Sequence, residues 1–258
     1  MLALIAGKGA LPGAVAAAHG GPVRVCALEH CPPDLPVDRT FRLETLGSLL
    51  RWMRRQGVTE VCLCGSVTRP PVSLARVDLR TWPLVPRVLR ALRRGDDGAL
   101  RIFIAIFEAS GFRVVAAHEA APALLPPVGA WGQIPAGAAE LARLGDAVSD
   151  RQAAEDLGQA CVLRDGIVLQ REGVEGTDAM LQALTDAEGG VLYKAPKPGQ
   201  DRRADLPVIG PETVRRAAAA GLSGIVIEAQ GVMVLEQPLV RTLIEETGLF
   251  LWVRERGA

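Results

Sequence analysis

Net charge is the first thing this sequence lacks. Its 29 basic and 29 acidic residues cancel, so no global field draws the chain toward nucleic acid or anionic lipid, and any anion site has to be local. Long apolar runs are missing too. No stretch reaches the roughly 18 apolar residues that a membrane span needs; the best candidate, "LRIFIAIFEA" from Leu100, is interrupted at Glu108. The opening "MLALIAGKGALPG" has no basic leader before its apolar run and turns into glycine too early for a signal peptide. A cytoplasmic protein is the expectation. Cysteine is scarce and odd in number, five in all, which fits a reducing compartment and argues against a disulfide framework. There is no C-x2-C pair, and Cys26, His30 and Cys31 match no standard zinc spacing. Internal repeats and low-complexity tracts are absent as well.

What is present is an ordinary soluble composition, 49% apolar and 22% charged over 258 residues, long enough for two domains of roughly 120 to 130 residues each. The first half alternates strand and helix: "LALIAG", "LPGAVAAAH", "VRVCAL", "LGSLLRWMRRQG", "VTEVCLCG", two helical stretches and "FRVVAAH". Strands separated by helices imply a parallel sheet with right-handed crossovers. From Pro122 to Gly137, "PALLPPVGAWGQIPAG" is rich in Pro and Gly and has no periodicity, which marks a linker and a hinge. Beyond it, Ser149 three residues before Gln152 has the form of a capping box, and "CVLRDGIVLQ" that of a hairpin turning at Asp165 and Gly166. Alternating helices and strands then run to "LFLWV". The predicted fold is α/β throughout: an N-terminal domain, 1–121, with a mainly parallel Rossmann-like sheet, a linker over 122–137, and a C-terminal α/β domain, 138–258.

In α/β sheets ligands sit outside the carboxyl ends of strands, and five segments in such places carry chemistry. "GKGALP" from Gly7 follows the first strand and opens a helix, so Gly7, Lys8 and Gly9 suit a phosphate or a plain tight turn; the third glycine of a dinucleotide fingerprint is missing. "GSVTRP" follows the third strand, with Arg69 placed to grip a phosphate and Ser66 and Thr68 to bind or to cap. "GDD" at Gly95 offers Asp97 as a helix cap or as a ligand for Mg²⁺ with substrate phosphates. "EGTDAM" at Glu175 poses the same choice for Thr177 and Asp178. The fifth segment, "VLYKAPKPGQDRRADLPVIG" from Val191, is too long and too charged for a mere connector. Lys194, Lys197, Arg202 and Arg203 suit a pyrophosphate, and Asp201 and Asp205 among them are awkward neighbours unless they hold a metal or a water.

Taken in order, "IAGKGALP", "GSVTRP", "GDD", "EGTDAM" and "KAPKPGQDRRADLPVIG" with "AAAAGLSGIVIEAQ" behind it resemble the UDP-2,3-diacylglucosamine pyrophosphatases of lipid A biosynthesis, the two-domain type. The resemblance covers nearly the whole chain. The Asp-x-His and Gly-Asn-His signatures of the calcineurin-like enzymes are absent, and the only histidines are His19, His30 and His118. The resemblance implies Mg²⁺-dependent cleavage of the nucleotide-sugar pyrophosphate to UMP and 2,3-diacylglucosamine 1-phosphate (lipid X), with the lipid held between the domains. It implies that Lys194, Lys197, Arg202 and Arg203 face the phosphates and that Asp205 positions metal or attacking water. One departure is Lys8, which stands where the family often has a middle glycine. An acylated substrate implies an apolar wall, for which Leu124, Leu125 and Trp131 are candidates, and a transient, peripheral contact with the inner-membrane surface. No nucleic acid is expected as a partner, and the sequence does not fix an oligomeric state. Two other readings stay open. A nucleotide-dependent oxidoreductase would use Gly7 and Gly9, with Glu29 ending the second strand, and a non-catalytic lipid or nucleotide sensor would keep the clefts without turnover.

Overall fold

The computed structural model describes residues 1–155, 157–199, 201–203 and 206–257, at 96 and 97 the backbone only. By contact the chain divides into two compact units, Met1–Pro122 with the described part of 201–205, and Ala123–Gln200 with Leu206–Ala258.

The first unit is built on five parallel strands in the order β3-β2-β1-β4-β5: β1 (Leu2–Ala6), β2 (Val23–Leu28), β3 (Arg39–Phe41), β4 (Glu60–Cys64) and β5 (Arg113–Val115). Its helices are α1 (Leu11–Ala18), α2 (Leu46–Arg55), α3 (Val85–Leu92), α4 (Asp96–Ala109) and α5 (Ala117–Ala120). β1 is central and wholly buried, which is why it reads as an unbroken apolar run: a parallel strand covered on both faces has no polar side. Ala3 and Ile5 pack with Leu46, Leu49, Leu50 and Met53 of α2 and with Ile104 and Phe107 of α4. Two details differ from the sequence reading. The edge strand β3 was not foreseen, being three residues long and mostly exposed. "FRVVAAH" gives a strand only over Arg113–Val115 before the chain turns into α5.

The second unit has a six-stranded mixed sheet, β6-β13-β11-β9-β7-β8, and a separate two-stranded parallel pair, β10-β12. The strands are β6 (Gly129–Trp131), β7 (Ala160–Arg164), β8 (Ile167–Arg171), β9 (Val191–Lys194), β10 (Val208–Ile209), β11 (Gly224–Glu228), β12 (Met233–Val234) and β13 (Phe250–Arg254). The helices are α6 (Ala138–Ala154), α7 (Gly176–Gln182), α8 (Pro211–Ala219) and α9 (Gln237–Thr247). Strands β9, β11 and β13 run parallel. Alternation splits them between two cores: Ile225 and Ile227 pack with Val214, Val240 and Ile244 of α8 and α9, while Tyr193, Val226 and Phe250 pack with Ala138, Ala142 and Val148 of α6.

The β7–β8 hairpin turns at Asp165 and Gly166, both with positive φ (50° and 77°), as a two-residue hairpin loop requires. The capping box at Ser149 does not form. Ser149 is buried inside α6, because "AAELARLGDAVSDRQAA" continues as helix-forming sequence with no break ahead of it. Nor is 122–137 connector throughout: Pro122–Leu124 is a 3₁₀ turn, and β6 pairs antiparallel with β13 as an edge strand too short to show a period.

Candidate functional site

Strand order in the first unit reverses between β1 and β4, since the chain moves from β1 outward to β2 and β3 and then returns to the other side of β1. The carboxyl ends of β1 and β4 therefore flank a topological switch point, where open α/β sheets bind ligands. The two loops there are tied to each other. Gly7 N–H donates to the Cys64 carbonyl at 2.9 Å, Lys8 N–H to the Ser66 carbonyl at 2.8 Å, and Ser66 N–H back to the Lys8 carbonyl at 2.9 Å. The amides of Gly7 and Lys8 are thus already used, and a phosphate cradle in this loop has to begin at Gly9, whose φ is +98°. Lys8, Gly9, Ser66 and Arg69 are exposed, and Arg69 donates to the Arg94 carbonyl at 3.1 Å. The loop after β2 joins the same rim through a 2.8 Å contact between His30 Nε2 and the Thr68 carbonyl. Glu29, which a dinucleotide would need for its ribose, instead pairs with Arg42.

This apposition depends on glycine. A Cβ on Gly7 would lie 2.4 Å from the Ser66 carbonyl oxygen, a backbone atom that cannot swing away. Gly7→Ala is expected to lower stability by about 3 kcal/mol, the upper end for overpacking, read as a drop in the urea midpoint at unchanged slope. An unchanged midpoint would show that the two loops are not apposed.

The described part of 201–205 belongs to this unit. Arg203, expected to face phosphate, has two carboxylate partners instead: Asp201 at 2.8 Å and Glu108 of α4 at 2.7 Å. The bond from Arg203 outweighs burial, which pushes the other way, and holds the Asp201 carboxyl below the ordinary range. Arg203 thus straps the loop to α4, while Arg202 is exposed and Lys197, in the second unit, is half-buried. His118 on α5 is half-buried. Its burial, offset by Glu119 and reinforced by the charge of Arg202, holds the imidazole below its usual pKa and so neutral near pH 7.

In the second unit Lys194 ends β9 and is buried with a hydroxyl and a carboxylate. Its ammonium donates to Thr177 Oγ1 at 2.8 Å and to the Val208 carbonyl at 3.0 Å, and Thr177 Oγ1 donates in turn to Glu172 Oε1 at 2.6 Å. Lys194, Thr177 and Glu172 are each 8% exposed. A lysine has donors only and a threonine hydroxyl one proton, so the direction of this chain is fixed. Thr177 is accordingly a bridge rather than a helix cap. The sequence reading missed Glu172; its signal was an acid directly after a strand and three residues before "EGTD". Leu124 is buried, and Trp131, packed against the core of this unit, lies 5.0 Å from the Arg241 guanidinium.

Among the described residues no three His, Cys, Asp or Glu side chains come together as a metal site. Asp178 is exposed beside Arg216, 3.7 Å away, and so already has a cation for a neighbour. The Asp97 side chain and all of Asp205 lie outside the described residues.

Comparison with known proteins fits this architecture. Residues 1–124 match the LpxI N-terminal domain and residues 129–252 the LpxI C-terminal domain. The chain is 37% identical over 269 residues, 97% of its own length and 96% of the other, to the UDP-2,3-diacylglucosamine pyrophosphatase LpxI of Caulobacter vibrioides. The protein is therefore an enzyme, a hydrolase of two α/β domains. It belongs to the LpxI family.

Proposed function

We propose that the protein hydrolyses the pyrophosphate of UDP-2,3-diacylglucosamine in lipid A biosynthesis, releasing UMP and 2,3-diacylglucosamine 1-phosphate (lipid X), with Mg²⁺ as cofactor. The observation that carries this is likeness along nearly the whole of both chains to a pyrophosphatase of that substrate. The reaction adds water across one phosphoanhydride: an oxygen–phosphorus bond forms, the bridging P–O bond breaks, and each product keeps one phosphate.

The chain's own residues supply charge and position. Lys8 and Arg69 stand exposed on the rim where the β1 and β4 loops meet; Lys197 precedes the 201–205 segment in sequence and Arg202 lies within it. These cations neutralise phosphoryl oxygens as charge passes to them. Lys194 is held by Thr177 and acts through a fixed ammonium rather than a mobile one. Asp205 holds the attacking water in line. Mg²⁺, when bound, supplies further neutralisation of the phosphoryl oxygens.

The enzyme works from the cytoplasm in transient contact with the inner-membrane surface, where an acylated substrate resides. Among the described residues no helix is long and apolar enough to cross a membrane, so contact through the surface is the route this reading takes.

The test is purified protein with UDP-2,3-diacylglucosamine dispersed in detergent. UMP and lipid X should appear in equal amounts with Mg²⁺ and stop on addition of EDTA. Turnover that persists in EDTA would remove the metal from the reading. No product at any metal concentration, or reduction of an added nicotinamide cofactor instead, would overturn the activity.

A further inference from the structure

All the large apolar side chains that the first unit exposes, among its described residues, fall on one segment. Val67, Leu74, Leu79 and Trp82 are 45%, 50%, 88% and 52% exposed. The same stretch, 66–95, holds seven arginines, at 69, 76, 80, 87, 90, 93 and 94, against one acid, Asp78. All seven are exposed. Because the whole chain is neutral, the remainder carries the balancing negative charge; the cations are segregated here.

The segment is held in shape from beneath. Thr81 Oγ1 accepts from Gly47 N–H of α2 at 2.8 Å, and the chain passes so close that a Cβ on Gly47 would meet the Arg80 carbonyl at 2.3 Å. Asp78 is half-buried and accepts from Ser48 Oγ and from Thr81 N–H, so the one acid braces the turn. Burial pushes its carboxyl up, but these bonds outweigh it and hold the group below its usual range. Val72, Val77, Val85, Val88 and Leu89 turn inward around a small cavity with Leu43. The core is thus supplied from the inner side, and Leu79 and Trp82 are presented outward on a braced turn.

We infer that this surface, the 78–82 turn with the exposed arginines of the 66–95 stretch, docks the enzyme on an anionic phospholipid bilayer. Leucine and tryptophan gain by entering the headgroup boundary, where an indole keeps its N–H wet and its ring apolar. Guanidinium groups pair with lipid phosphates, and each basic residue near an anionic surface contributes about fivefold to binding. A nucleic acid would use the arginines but leave Leu79 in water. The inference deepens the proposed function, since it names how an enzyme with no described spanning helix reaches an acylated substrate, and it rests on that reading for its purpose.

The experiment is sedimentation of the full chain with vesicles of phosphatidylcholine alone or mixed equally with phosphatidylglycerol. The protein should bind the anionic vesicles, bind the neutral ones weakly, and release in high salt. Arg80→Ser with Arg87→Ser and Arg90→Ser should weaken anionic binding roughly a hundredfold, and Leu79→Ser with Trp82→Ala about tenfold. Vesicles should shift the tryptophan emission of the parent to the blue and leave Trp82→Phe unshifted. Equal binding to both vesicle types, no binding to either, or insensitivity to both sets of substitutions would overturn the inference. So would an oligonucleotide that binds the parent and the Leu79→Ser/Trp82→Ala variant alike and displaces both from vesicles. Hydrolysis in detergent separates the two claims: the variants should keep parental turnover there, whereas vesicle binding without any turnover sinks the proposed activity and leaves the docking surface standing.

Discussion

Asp205→Ala is expected to cut turnover by roughly a hundredfold or more while substrate still binds, a loss of about 3 kcal/mol of transition-state stabilisation. Pyrophosphate cleavage needs charge neutralised on the phosphoryl oxygens and a water held in line. In the proposed reading Lys194, Lys197 and Arg202 supply the first, and the Asp205 carboxylate supplies the second. Removing that carboxylate takes away no apolar side chain, so the unfolding midpoint should stay near that of the parent. One negative charge fewer beside bound phosphates should leave KM unchanged or lower. Steady-state kinetics at saturating Mg²⁺, with the urea midpoint as a control on folding, decides it. A folded Asp205→Ala protein with near-parental kcat would remove Asp205 from the catalytic reading.

The second large effect is on stability. Asp146 of α6 accepts from the hydroxyl of Tyr193, the only tyrosine of the chain, at 2.6 Å, and from both terminal nitrogens of Arg254 at 2.9 to 3.2 Å. It also accepts from Gly257 N–H at 3.2 Å. The Arg254 and Asp146 side chains are 3% and 14% exposed, so the pair is largely withdrawn from water. Asp146→Ala removes the carboxylate that two nitrogens of this buried guanidinium donate to and should cost about 3–5 kcal/mol. Asp146→Asn keeps an acceptor and should cost less.

The pH dependence follows from the same contacts. Burial raises the Asp146 carboxyl, but the bonds from Arg254 and Tyr193 outweigh it and hold the group below its usual range. A carboxyl whose folded pKa lies below the unfolded value of about 3.9 contributes fully above that pH and loses its contribution as pH falls through the folded value. The gap in unfolding free energy between parent and Asp146→Ala should therefore be constant near neutrality and narrow in acid. Tyr193 provides an optical reporter, since loss of its acceptor should change the tyrosine absorbance of the folded state only. A gap that widens in acid, or a cost under about 1 kcal/mol as for an exposed pair, would contradict this account.

Local order was written in the sequence and the partners of its polar groups were not. The alternation of strands and helices, the turn at Asp165 and Gly166, and the charged loop after β9 all follow from periods and residue types within a few positions, because backbone geometry imposes those periods. The motifs were enough for the family. What Lys194, Arg203 and the Gly7–Gly9 loop actually touch was decided elsewhere in the chain. Lys194 is held by a hydroxyl 17 residues away, Arg203 by a carboxylate 95 away, Lys8 by the loop at Ser66, and Asp146 by an arginine 108 away. A buried charge must find a partner to be tolerated at all, yet its own type says only that one is needed. Which side chain arrives depends on strand order, and strand order is set by the packing of both faces of a sheet at once. The docking surface is a different case: its seven arginines vanish in a neutral total yet stand in one stretch of sequence, and what only the fold shows is that all of them are exposed there together with Leu79 and Trp82.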